Sequence, residues 1–174
     1  RRTRFRRDWR SDVCSSDLTP FRELTAFAEL YSINVRVGDG AQLAGGQVVA
    51  GNYYSFLGLR PYRGRLLTPS DDDASAVPVV VISYDYWQTR LGGLASAVGS
   101  EIFVNGASFT IVGVTPPGFS GALQLGAAPA LTLPLAHQAL VMREGELLDR
   151  GDYWWLYLMG RLRDGATREQ AQAA

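Results

Sequence analysis

From Thr19 onward the chain is a succession of short apolar runs separated by glycine, proline and acidic turns. In TPFRELTAFAELY (19–31), Phe21, Leu24, Ala28 and Tyr31 share one side of a 3.6-residue period. Thr19 stands where an N-cap would, and Pro20 takes the first helical position. Together these features predict an amphipathic helix. The pattern then changes to period two, with Ile33, Val35 and Val37 alternating with polar residues until GDG (38–40) closes the run as a turn. QLAGGQVVAG (42–51) predicts a second strand with a bulge at Gly45–Gly46.

Asn52 is placed to cap a short helix, YYSFLG (53–58), closed by Gly58. LRPYRGRLLTPSDDD (59–73) reads as loop. VPVVVISY (77–84) is a continuous β-branched run, the pattern of a strand buried on both faces. Ser83 can cap the helix that follows, whose Tyr84, Trp87 and Leu91 share a side and which Gly92–Gly93 ends. In EIFVNGASFTIVGV (101–114), Asn105–Gly106 between two strand-like runs is a type I′ hairpin signature, because both turn positions need positive φ. TPPGFSG (115–121) reads as a rigid loop, ALTLPLAHQAL (130–140) as a strand ended by Pro134 and then a short helix, and YWWLYLMGRLRDG (153–165) as an aromatic-rich strand. Thr167 and Gln170 form a capping box for a last helix reaching Ala174. The order α-β-β-α-β-α-β-β-β-α predicts an α+β fold with a mixed or antiparallel sheet and short helices, not a doubly wound one.

Composition changes this picture at one end only. Apolar residues make up 47% and charged residues 20% of 174, ordinary globular values. No run of about 18 apolar residues occurs, so no segment reads as a membrane span. All 17 basic residues are arginine. Residues 1–18 hold six Arg and three Asp, leaving eleven Arg and fourteen acidic residues in a mildly acidic remainder. A nucleic-acid footprint needs a clustered basic face, and only that tail offers one. Within it, SDVCSSDL (11–18), with the sole cysteine Cys14, back-translates to a sequence resembling a common short-read sequencing adapter. Residues 1–18 are therefore expected to be a non-native, disordered tail, and 19–174 a domain truncated at both ends.

Candidate chemistry is sparse. His137, the single histidine, is expected in a capping or surface role, and with Cys14 set aside no zinc site or thiol nucleophile can be assembled. Ser120 in GFSGA lacks the final glycine and the strand–turn–helix setting of a nucleophile elbow. A chain without lysine cannot carry a Walker A lysine. Asp71–Asp73 in SDDDAS read as a solvated turn, with a cation site as the minority reading. Arg60, Arg63 and Arg65 are expected to pair with those acids rather than form an anion patch. DYWWLY (152–157) is either core on one face with an interface on the other, or a sugar-stacking platform of Tyr153, Trp154, Trp155 and Tyr157. An enzyme built on Asp71–Asp73 and Glu101 lacks a constellation to support it. No catalytic, cofactor-binding or metal residue is assigned.

Four segments carry a family likeness. VVAGNYYSFLGLRPYRGRLLTPSDD (48–72), VPVVVISYDYWQTRLGG (77–93), VGSEIFVNGASFTIVGVTPPGFSG (98–121) and GRLRDGATREQAQAA (160–174) resemble, in order and spacing, successive blocks of MacB-like periplasmic core domains. These are the extracytoplasmic domains of FtsX/MacB-type ABC transporter permeases, and the flavour is similar to the orphan permeases of acidobacteria. The resemblance implies a non-catalytic periplasmic segment of an inner-membrane efflux or transport protein, inserted between the first and second membrane helices. It implies no cofactor, because ATP would be hydrolysed by a separate ABC ATPase subunit. A dimeric permease and a possible periplasmic adaptor protein follow from the same likeness, while the lack of a basic face outside the tail argues for no nucleic-acid partner. Gly51, Gly58, Gly64, Gly113 and Gly118 are expected to serve backbone geometry, and Trp87 to pack its helix onto the buried strand.

Overall fold

The computed structural model describes residues 20–38, 40–122, 128–148 and 154–172; the tail 1–18 and its Cys14 lie outside them. Eight strands and four short α-helices alternate along the described chain: β1 (Phe21–Val37), β2 (Gly40–Val49), α1 (Tyr53–Phe56), β3 (Arg63–Gly64), β4 (Val79–Ile82), α2 (Tyr84–Leu91), β5 (Glu101–Val104), β6 (Ala107–Val114), β7 (Leu131–Pro134), α3 (Gln138–Val141), β8 (Tyr157–Leu162) and α4 (Arg168–Gln172). All strands join one mixed sheet. Its hydrogen-bonded neighbours run β2-β7-β4-β6-β5-β1 and return to β2, so six strands close into a ring, with β8 attached to β1 and β3 to β6. The β2–β7 and β4–β6 pairs are parallel; the other pairs are antiparallel. The expected α+β class with a mixed sheet is what forms.

Every ring strand sends side chains to one cluster, including Ile33 and Val35 of β1, Val48 of β2, Val80 and Ile82 of β4, Ile102 of β5, Ile111 of β6 and Leu133 of β7. That cluster is the ring interior. Period-two alternation sends the next residues outward, where Phe27, Val49, Val79 and Val81 meet Tyr53, Tyr54 of α1 and Leu66–Leu67 of the following loop. All four β4 residues are buried, as expected of a strand covered on both faces. Fully burying each such side chain contributes about 1.5–3 kcal/mol.

The helix expected over 19–31 does not form: residues 21–37 are one strand. Thr25–Ala28 are buried on both faces, with Ala26 and Ala28 in the ring interior and Phe27 in the outer cluster. A strand buried on both sides loses its polar alternation and can imitate helical spacing. A register shift between the Leu30↔Gly46 and Ile33↔Ala44 pairs extends the imitation, since it places two core residues three positions apart. The bulge expected at Gly45–Gly46 therefore lies opposite, with its extra residue in β1. Tyr31, counted in the helical stripe, is 83% exposed.

Local chemistry explains most other boundaries. Ser83 Oγ accepts from the Tyr86 N–H at 3.1 Å, and Gly92 at φ +60 ends α2. Asn105 (φ +50) and Gly106 (φ +91) make the β5–β6 turn. Thr167 and Gln170 exchange both bonds of the capping box ahead of α4. Asn52 precedes α1 without a side-chain cap bond; its Nδ2 instead donates to the Leu24 carbonyl at 2.8 Å, tying α1 to β1. Pro134 ends β7, and a 3₁₀ turn at Leu135–His137 leads into α3. The aromatic-rich strand starts at Tyr157, and its expected first residue, Tyr153, lies outside the described residues.

Candidate functional site

The acidic run is not a solvated turn. Asp71 and Asp72 are buried and only Asp73 is exposed. Asp71 receives the Arg65 guanidinium bidentately at 2.6 and 2.7 Å, and bonds from Thr68 N and Oγ1 at 2.8 Å. Burial alone would raise its pKa, but the Arg65 and Thr68 bonds outweigh it and hold the carboxyl below its ordinary value. Asp72 accepts from Gly51 N at 3.0 Å and from Ala136 N at 2.7 Å, so it pins three segments together. Both carboxylates carry structural bonds, and the charge pattern alone could not show that the partners of Asp72 are remote backbone amides.

The remaining candidates are scattered. Arg65 alone of the three arginines pairs with the acidic run; Arg63 lies 5.9 Å from the Trp87 ring centroid, and Arg60 is exposed. Glu101 is exposed on β5 and accepts from Ser108 Oγ across the hairpin. Ser120 sits exposed in a loop. His137 is buried rather than at the surface, its Nε2 3.1 Å from the Ala76 carbonyl and its ring edge-on to Phe109. Among the described residues no group of three or more His, Cys, Asp or Glu could hold a metal ion.

The surface feature that stands out is aromatic. On one edge of β1 the ladder to β8 ends at Phe27 and the ladder to β5 begins at Val35. Between them residues 28–33 line a groove of about 390 Å³ together with Trp154, Trp155 and Tyr157. Trp154 is 99% exposed and Tyr157 48%, while Trp155 packs against the ring core. Tyr157 stacks on Phe27 with centroids 5.4 Å apart. Tyr31 bonds Glu29, which raises the phenol pKa. Three of the four predicted platform residues thus share one groove, and Tyr153 lies outside the described residues. The groove's β1 wall was hidden from sequence reasoning by the helical misreading of 19–31.

The sequence matches the family model described as MacB-like periplasmic core domain over residues 6–174. The chain belongs to the MacB-like periplasmic core domain family. Solved structures agree with this fold. The periplasmic region of MacB from Actinobacillus actinomycetemcomitans superposes with a TM-score of 0.63 at 18% identity, covering 93% of this chain and 66% of that one. The extracellular domain of the noncanonic ABC-type transporter YknZ from Gram-positive bacteria gives 0.62 at 15% identity, covering 90% and 72%. A domain of a protein described as a permease from Porphyromonas gingivalis gives 0.64 at 15% identity, covering 91% and 69%. This chain therefore spans about two thirds of the length of these neighbours. No curated protein matches it significantly. Membership of the MacB-like family makes this a periplasmic-type domain of an ABC transporter permease. No helix among the described residues is long and apolar enough to cross a membrane.

Proposed function

We propose that this MacB-like domain is the extracytoplasmic part of an inner-membrane permease, and that it couples motion of the membrane helices to a partner or cargo without catalysing a reaction. The observation that carries this reading is the family match over nearly the whole chain. The closed ring supports it, because a core fed by six strands suits a body that moves as a rigid unit. ATP is hydrolysed by a separate cytoplasmic subunit, the permease works as a dimer, and an adaptor protein docks on the periplasmic side. Intact cells expressing the full-length permease with its native cysteines replaced by serine and a single cysteine at exposed Gln88 test the placement. A membrane-impermeant thiol reagent should label the protein before lysis. Labelling only after lysis would overturn the reading.

A second reading, a glycan-binding module, is favoured by the exposed indole of Trp154 beside Tyr157. Stacking on a sugar face is the chemistry such a ring supplies. Trp154→Ala abolishing a measured oligosaccharide affinity would favour it; an array with no binding would remove it.

A further inference from the structure

A second groove, of about 610 Å³, lies on the far side of the Asn105 hairpin turn. Its floor is a row across three strands. Arg36 of β1 pairs with Ala41 of β2 on one side and Phe103 of β5 on the other. Cross-strand partners project from the same face, so the small Ala41 leaves open the space that a larger side chain would fill. The Arg36 guanidinium lies over the Phe103 ring, 3.9 Å from its centroid, and the residue is exposed. The opposite wall is the end of α3 and the residues after it, with Leu140 46% exposed and a second cation, Arg143.

Asn105 holds wall and floor together. Its Oδ1 accepts from Asn34 N at 2.8 Å and its Nδ2 donates to the Val141 carbonyl at 2.6 Å. The groove is lined by Arg36 and Arg143 and by no carboxylate. Among the described residues neither arginine has an acidic partner within ion-pair distance. Elsewhere Arg65 is paired with Asp71 and Arg161 approaches Glu23. Glu144 borders the aromatic groove, not this one.

We infer that this groove binds an amphiphilic anion, a phosphate or carboxylate head taken by Arg36 and Arg143 with an apolar body against Phe103, Leu140 and Met142. Arginine's planar donor fork suits such a head, and an immobilised guanidinium loses less freedom on binding. The exposed Leu140 side chain supplies the apolar wall. This site is independent of the transport reading, since it concerns a ligand on the domain rather than its motion.

The test is an NMR titration of the full chain with dodecyl phosphate below its micelle-forming concentration. Inorganic phosphate, dodecyltrimethylammonium and phosphatidylglycerol vesicles serve as the other arms. Saturable binding of dodecyl phosphate, with the Arg36 and Arg143 Nε resonances shifting, is expected. It should weaken by about tenfold or more in R36Q/R143Q and as salt rises. Arg143→Gln alone, in the loop after α3, should weaken binding partway and serves if the double variant does not fold. Unchanged affinity in both variants, or equal binding of the cationic amphiphile, would overturn the site. Equal binding of inorganic phosphate would overturn the apolar half of the assignment. Binding to vesicles but not to free dodecyl phosphate would mean a membrane contact, and no saturable binding at all would end the proposal.

Discussion

Asp72 Oδ1 accepts a 2.7 Å hydrogen bond from the backbone N–H of Ala136, across 64 residues of sequence. The other carboxylate oxygen takes Gly51 N at 3.0 Å, so one buried side chain joins the entrance of α1 to the 3₁₀ turn after β7. Removing it strands two amide donors away from water. Asp72→Ala should destabilise by about 3 kcal/mol, read from urea unfolding. Asp72→Asn keeps one acceptor oxygen and should fall between. A midpoint unmoved in Asp72→Ala would show that water replaces these bonds without cost.

Trp87 anchors α2. It is 4% exposed, its Nε1 donates to the Leu94 carbonyl at 2.9 Å, and Tyr62 and Tyr84 meet its ring at 5.5 and 5.7 Å. Trp87→Ala should cost about 3–5 kcal/mol, and Trp87→Phe, which loses the bond but keeps an aromatic ring, distinctly less. Thermal melts check both; a negligible shift in the alanine variant would contradict the helix-on-strand packing.

Asp71 makes stability depend on acid. Its folded pKa lies below the ordinary 3.8, because bonds from Arg65 and Thr68 outweigh the opposing effect of burial. A depressed folded pKa contributes stability that is complete above the unfolded value and is lost as pH falls through the folded one. Asp71→Asn should cost about 1 kcal/mol at neutral pH, given the half-exposed Arg65 partner. It should also flatten the fall of the melting temperature below about pH 4. Parallel curves for both proteins through that range would show that other carboxyls govern acid unfolding.

Two glycines separate packing from conformation. A Cβ at Gly113 would land on the Arg65 carbonyl oxygen, where β3 pairs with β6, with the Arg65 C and N at 2.8 and 2.9 Å. At Gly118 nothing lies within 4 Å, but φ is +77. Gly113→Ala should therefore cost about 3 kcal/mol or more, and Gly118→Ala only about 1 kcal/mol. Equal effects in chemical denaturation would mean that β3 can move aside.

What the sequence made legible follows from how local each cause is. Ser83, Gly92, Asn105–Gly106, Pro134 and the Thr167–Gln170 box act within a few residues, and each marks the boundary it was expected to mark. β4 is legible because a short β-branched run allows few alternatives. Residues 21–31 are not, since Thr25–Ala28 are covered on both faces and the bulge shifts the period. The Arg65–Asp71 pair was legible because it spans six residues, whereas Asp72 looked solvated because Gly51 and Ala136 reach it only through the tertiary fold. Closure of the ring depends on β1 meeting β5 at two residue pairs, which no local pattern encodes. The aromatic groove was half legible: its Trp154–Tyr157 side stood out, but its β1 side required the strand.

The proposed coupling role requires the domain to move when a partner ATPase turns over. Pulsed electron–electron spin resonance measures this on the full-length permease with its ATPase in lipid. The spin label sits at Gln88→Cys, on the exposed side of α2, in a variant whose native cysteines are replaced by serine. Trapping the ATPase with a non-hydrolysable nucleotide should shift the label–label distance distribution across the proposed dimer relative to the nucleotide-free state. An identical distribution in both states, in a preparation whose ATPase is active, would contradict the coupling role.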